Sequence, residues 1–423
     1  MTSRSESFRG FFIALRKGKP WFKNTSDADK YFRCSATSLE QIFNEYIQEG
    51  IVKQTKNRPL SFLFFFAVCL FFIFTTGVSA YDVNEKLSVE GMLTGIYQYA
   101  GVDGEGADDA GRGAAVMDLG VNFHPTDKDE FQATLSFGAG NGLNYLELFS
   151  LSPYAGDLED DLKDINGRNR DYLLEAWYKH TFLLSDNATL GMTGGIIDST
   201  AYIDDNTFAN CERSQFMNDI FVNSSLANLP SYDLGGAVEF EIEQFTIRGV
   251  AMNSRNEADR NYNYYALQFG YAPDTSLGKG NYRIYGYMTS KKFEGRDEAS
   301  LEKLQGMGIS ADQELSSIVG IFARIGWQDD DAAVDHNAVY SGGVNMSGAI
   351  WGRESDAAGI GYAYLKGADK GEIDSTNAVE AYAKFKMTAF SDVTLDIQYI
   401  DDDLKADSDR DGFICGVRAN AYF

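Results

Sequence analysis

Side chains able to perform chemistry are present but never assembled. His124, His180 and His336 stand in no H-E-x-x-H spacing, and neither G-x-S-x-G nor a phosphate-binding glycine loop occurs. Cys34, Cys69, Cys211 and Cys415 form no C-x-x-C pair, so metal and redox chemistry lack support. Catalysis and a bound cofactor are therefore not expected. Asp407, Asp409 and Asp411 before Gly412 spell D-x-D-x-D-G, which opens a calcium loop by turning carboxylates onto one concave side. Its twelfth position is Arg418 rather than Glu, so a solvated acidic loop is expected there.

The remaining polar candidates share one property, which is alternation with apolar neighbours. Glu380, Tyr382, Lys384 and Lys386 interleave with Val379, Ala381, Ala383, Phe385 and Met387. Asp396 and Gln398 interleave with Val393, Leu395, Ile397 and Tyr399; Arg418, Asn420 and Tyr422 with Val417, Ala419, Ala421 and Phe423. A two-residue period puts each set on one face of a strand. Charges at strand centres, with aromatics near the ends of the apolar face, fit a membrane barrel whose polar face lines a lumen.

Fifteen such strands are predicted: 87–99, 113–124, 131–139, 172–182, 188–197, 232–241, 245–253, 262–272, 282–291, 316–327, 338–350, 356–366, 379–387, 393–399 and 413–423. Bacterial barrels have even counts, so sixteen are expected, the hidden one near Ile220–Ser225. Short links at 125–130, 184–187 and 390–392 belong to the periplasmic rim, and long ones at 141–171 and 200–231 outside. The fold class is thus all-β, a transmembrane antiparallel barrel. Forty-two Gly, 24 Tyr and 30 Phe against six Pro agree with turns and aromatic strands.

Leu60–Phe74 is the strongly apolar run, preceded by Lys53, Lys56 and Arg58 and followed by Val78-Ser79-Ala80. It is too short to cross a bilayer and reads as a signal peptide, 53–80, cleaved after Ala80. Residues 1–52 form an upstream extension, consistent with a misassigned start, and 81–423 are the barrel. Beyond residue 80 there are 26 Lys+Arg and 56 Asp+Glu, a net of −30, which argues against nucleic acid as a partner. An oxidising compartment permits a Cys211–Cys415 disulfide, but nothing brings the two together.

A pore selects by the groups that line it. Lining candidates are Glu175, Lys179, Arg248, Arg283, Tyr285, Tyr287, Lys291, Arg324, Glu380, Lys384 and Arg418. Both charge signs offer hydroxyl-rich solutes donors and acceptors, and Tyr rings offer stacking faces. The 200–231 segment is the leading constriction candidate, with Asp204, Asp205, Asn206, Asn210, Glu212, Arg213, Gln215 and Asn218 interleaved with Tyr202 and Phe208.

Gly195-Ile-Ile-Asp198 through Tyr202, Asn206, Asn210, Glu212, Gln215, Phe216 and Asn218 resembles the central segment of the carbohydrate-selective porins of the OprB family. Val319 through Arg324 to Trp327, Ser341-Gly-Gly-Val, Trp351-Gly-Arg353 and the strands leading to a terminal Phe resemble it too. The resemblance implies a sixteen-stranded outer-membrane barrel passing small hydrophilic solutes, sugars first, and places Arg353 among its motif positions. Outer-membrane lipid and, through Phe423, the barrel-assembly machinery are the implied partners. Monomer and trimer both remain open, as do a general or cation-preferring diffusion channel and an adhesive or structural barrel.

Overall fold

The computed structural model describes residues 81–104, 108–297, 299–406 and 409–423. The predicted extension 1–52, the signal peptide 53–80 and Asp407 lie outside the described residues.

Sixteen antiparallel strands form the wall: β1 Leu87–Asp103, β2 Ala110–Thr126, β3 Asp129–Ala139, β4 Leu173–Ser185, β5 Ala188–Ile197, β6 Asp233–Ile242, β7 Phe245–Arg255 and β8 Asn261–Tyr271, followed by β9 Gly278–Thr289, β10 Gln305–Glu314, β11 Val319–Gln328, β12 His336–Ser347, β13 Ala357–Gly367, β14 Ile373–Thr388, β15 Ser391–Leu404 and β16 Arg410–Tyr422. Each pairs with its sequence neighbours. β1 closes on β16 from Met92↔Tyr422 to Asp103↔Asp411, which leaves no edge.

Alternation puts Leu395, Ile397, Phe413, Ile360 and Leu267 on the exposed outer face, while their neighbours Asp396, Gln398, Ile414 and Gln268 are buried inside. Aromatic pairs ring both ends of that outer face. Phe131–Tyr178 and Phe245–Tyr271 stand at the short-turn rim with ring centroids 4.7 and 4.9 Å apart, and Tyr399–Phe413, at 4.8 Å, stands at the other. Two-residue turns at 127–128, 186–187, 243–244 and 389–390 share the periplasmic rim with both chain ends of the barrel.

Two long connections on the opposite rim, L1 (140–172) and L2 (198–232), fold into the lumen. Leu143, Phe149 and Leu151 of L1 and Phe216, Ile220, Phe221 and Leu226 of L2 pack in one buried cluster with the inward residues Ala100, Phe322, Val339, Leu365, Ile400 and Ile414. L1 contains the helical turn α1 (Glu159–Leu162), and L2 contains α2 (Asp219–Val222).

The sixteenth strand is β10, not Ile220–Ser225. That segment forms α2, whose N-cap Asn218 accepts the Ile220 amide, and the 3-10 turn Ser225–Ala227. Three consecutive apolar residues, Ile220, Phe221 and Val222, are buried on all sides inside the lumen and carry no alternation to separate helix from strand. β10 escapes pattern reading because its inward positions Gly306, Gly308 and Ser310 give little contrast with outward Met307, Ile309 and Ala311.

Candidate functional site

The lumen is divided by what covers its wall. From β8 through β16 the inward side chains lie beneath the two loops: Tyr264, Tyr285, Arg324, Ala363, Glu380, Gln398 and Arg418 are all under 4% exposed. From β2 to β7 the inward side chains Asn122, Gln132, Thr134, Glu175, Trp177, Lys179, Glu239 and Arg248 keep partial access to solvent. The partly accessible inward polar side chains therefore gather on the β2–β7 side of the lumen.

A ladder of alternating charge runs from β4 across L2 to β10. Lys179 Nζ on β4 meets Glu239 Oε2 on β6 at 2.6 Å, and Arg248 Nε on β7 lies 3.7 Å from Glu239 Oε1. Arg248 Nη1 reaches Asp205 Oδ2 of L2 at 3.2 Å, and Arg283 Nε on β9 reaches Asp205 Oδ1 at 2.7 Å. Arg283 Nη1 ends the ladder on Asp312 Oδ2 of β10 at 2.8 Å. Gln268 on β8 fills the gap, donating to Asp205 Oδ1 at 3.2 Å and accepting the Asp204 amide at 2.8 Å. Three cations face three anions, so the strip carries dense hydrogen-bonding capacity with little net charge.

Toward β2, Arg213 of L2 pairs with Asp118, and its Nε lies 3.1 Å from Glu212 Oε1. Burial works against its charge, but the Asp118 and Glu212 carboxylates more than offset this and hold the guanidinium above its ordinary value. Asp157 of L1 and Asp219 of L2 are each pushed up to about 7, mainly by burial.

The predicted residues thus separate into two groups. Glu175, Lys179, Asp205, Glu212, Arg248 and Arg283 keep partial access to solvent. Asn206 donates to Ser310 Oγ at 3.2 Å, and Arg324 lies beneath L2, with Nη1 donating to Phe221 O at 3.0 Å, Nη2 to Val222 O at 3.1 Å and Nε 3.1 Å from Asp204 Oδ2. Tyr285 and Tyr287 are covered, the latter accepting Asn228 Nδ2 at 2.6 Å, so neither ring offers a free face. Glu380 and Arg418 hold L2 from below, and Lys384 stays partly open near the periplasmic end of β14. Lys291 sits past the end of β9 and pairs with Glu302 at 3.0 Å. Arg353 stands in the turn between β12 and β13, its Nε on Asp356 Oδ2 at 2.5 Å, away from the lumenal wall.

Pattern reading missed Glu239, Asp312, Gln268 and Trp177. Asp312 went with its strand, and Trp177 was legible as the alternate of Tyr178. Asp409 accepts the Leu404 amide and Asp411 the Tyr399 hydroxyl, and no group of three metal-ligating side chains occurs among the described residues. Cys211 in L2 and Cys415 on the outer face are free thiols.

The model of the carbohydrate-selective porins, OprB family, matches residues 112–423. An uncharacterized protein of Aquifex aeolicus (strain VF5) is 32% identical over 315 residues, 73% of this chain and 89% of that one. Among solved structures, the high-pH form of Pseudomonas putida OprB superposes with a TM-score of 0.66 at 16% identity, over 81% of this chain and 95% of that one. Its low-pH form gives 0.52 at 14%, over 81% and 94%. With a closed sixteen-stranded wall and a family match that spans nearly the whole barrel, this chain belongs to the carbohydrate-selective porin family OprB and is a porin of the Gram-negative outer membrane.

Proposed function

We propose that sugars cross passively through the passage between L2 and the β2–β7 wall, and that L2 is the constriction. The observation that carries this reading is the Lys179–Glu239–Arg248–Asp205–Arg283–Asp312 ladder. An ion passing such a strip gains little, because its charges are already paired in space. A polyhydroxylated neutral solute can instead exchange its water hydrogen bonds one at a time for alternating donors and acceptors. Trp177, inward on β4 between Glu175 and Lys179, offers the apolar face of a sugar ring a stacking surface. Diffusion down a gradient needs no catalytic step, no cofactor and no energy source. The outer aromatic belts face lipid, and Phe423 is read during insertion by the barrel-assembly machinery.

The test is single-channel conductance of protein extracted from outer membranes, with graded mono- and oligosaccharides and a salt gradient. Saturable block by sugar with weak ion preference is expected. Asp205→Asn frees Arg248 and Arg283 from their shared partner, so it should weaken block by about tenfold and shift the reversal potential toward anions. Unblocked current with strong cation preference, as the net of −30 beyond residue 80 would favour, replaces this reading with a general cation-preferring channel. Silent, well-folded barrels replace it with a structural or adhesive role.

A further inference from the structure

Every charged side chain of the ladder has a counter-ion, and Asp118 has Arg213. Glu175 differs. It faces inward on β4 with partial access to solvent, and among the described residues it forms no ion pair. Lys179, the cation on the same face of the same strand, is taken by Glu239, and Arg248 is shared between Glu239 and Asp205. The neighbouring acid adds to the negative field instead of cancelling it: Asp198 leaves β5 two residues past Ile196, the partner of Ala176, and accepts the Thr200 amide at 2.9 Å and the Ser231 hydroxyl at 3.0 Å.

The wall around Glu175 is irregular on both flanks. Between β3 and β4 the register steps from Thr134↔Glu175 to Leu135↔Leu173, which leaves Leu174 as the extra residue of a β-bulge. A bulge re-aims side chains that strict alternation would send to opposite faces. Leu174 accordingly packs in the buried cluster with Leu158 and Leu162 of L1, while Glu175 beside it keeps its access to the lumen. On the other flank, Gly195 of β5 pairs with Trp177 and has φ +143°, a backbone that glycine holds without strain. A Cβ there would lie 2.3 Å from Ala176 O and 2.7 Å from Trp177 Cα, and the next position in the row, Gly235, is also bare. Trp177 packs against the cluster containing Ile197, Tyr202 and Ile203 and remains partly accessible.

We propose that Glu175 and Trp177 form a subsite for amino sugars, with the apolar face of the ring on the indole and the ammonium group on the carboxylate. This rests on the passage of sugars along the β2–β7 wall. Alternate residues on one face of a strand are about 7 Å apart, a span that one pyranose ring with an exocyclic amine can bridge. The ammonium supplies the counter-ion that Glu175 lacks, whereas a neutral sugar meets that carboxylate through hydroxyls alone, in weaker hydrogen bonds. Across β3, Gln132 pairs with Trp177 and Thr134 with Glu175, so an amide and a hydroxyl stand level with them for the other ring substituents.

The test measures the half-blocking concentrations of D-glucosamine, D-glucose and N-acetyl-D-glucosamine on single channels of the full protein at about pH 7, where a free amine of this kind is mostly charged. Glucosamine is expected to block at about tenfold lower concentration than glucose, and the neutral N-acetyl sugar to lose that preference. Glu175→Gln, which keeps the shape and removes the charge, should erase the preference. Glu241→Gln, which removes a carboxylate two positions beyond Glu239 on the same face of β6, should retain it. Trp177→Ala should weaken block by glucose and glucosamine alike, about fivefold. Methylammonium carries the charge without the ring and should not block in the same range. Equal half-blocking concentrations of glucosamine and glucose would overturn the subsite while leaving sugar passage in place, and so would a preference that survives Glu175→Gln or a block by methylammonium as strong as that by glucosamine. Absence of block by any sugar would instead remove the reading on which the subsite rests.

Discussion

Arg324 shows how far a lumenal charge can be from the solute it was expected to meet. Its guanidinium is 1% exposed and bridges four points of L2: the Asp204 carboxylate and the carbonyls of Asp204, Phe221 and Val222. Removing it strands Asp204, which is fully buried, without a counter-ion. Breaking such a pair costs about 3–5 kcal/mol, which loosens the hold of L2 on the wall. Arg324→Ala is expected to raise conductance and current noise and to open the Arg213–Ser214 bond to trypsin. Arg324→Lys should not rescue it, because one ammonium cannot span a fork of carbonyls on both sides of the loop. Unchanged conductance and protease resistance in Arg324→Ala would show that packing alone holds L2. The sequence placed Arg324 on the inward face correctly, but alternation reports only which face a residue occupies. It carries no information on what a distant loop lays over that face.

At the scale of strands and loops, the inward glycines of β11–β13 become intelligible once L2 is in place. A Cβ on Gly320 would lie 2.1 Å from Phe208 Cζ, and one on Gly361 would lie 2.7 Å from Phe221 Cε1. These glycines are sockets that let loop phenylalanines lie against bare backbone. The sequence displayed them as Gly-aromatic strands, and wall strands were legible wherever large outward residues alternated with polar inward ones. β10 was not, because sockets replaced its inward contrast, and L1 was read only as an external loop although Leu143, Phe149, Leu151 and Leu158 are an apolar load unsuited to water. Gly361→Val is expected to displace Phe221 at a cost of about 1–3 kcal/mol and to enlarge the channel without preventing barrel closure. Gly194→Val, outward with nothing within 4 Å, is the matched control and should leave conductance unchanged. Equal conductance in the two variants would mean that Phe221 finds another seat.

For the whole molecule, the decisive contact is the seam where the last strand meets the first. Phe423 donates its amide to Gly91 O at 2.9 Å and accepts the Gly91 amide at 2.6 Å, which finishes the ladder that runs from Asp103↔Asp411 down to Met92↔Tyr422. Those bonds belong to the backbone and survive any side chain. Beside them, a Cβ on Gly91 would lie 2.1 Å from the Phe423 ring, so the ring covers that glycine closely. Two roles for the aromatic side chain then separate. If it only packs the seam, Phe423→Ala should lower stability by about 3–5 kcal/mol, and refolded and cell-made barrels should suffer alike. If it is chiefly an assembly signal, the variant should refold in detergent to wild-type conductance and sugar block while its outer-membrane yield in cells falls severalfold. We expect the second outcome, because the ring lies at the periplasmic rim, where the closed ladder already satisfies the strand's polar groups and little apolar surface remains to be buried. Measuring yield and refolded conductance on the same variant decides it, and equal losses in both would assign Phe423 to closure rather than to delivery.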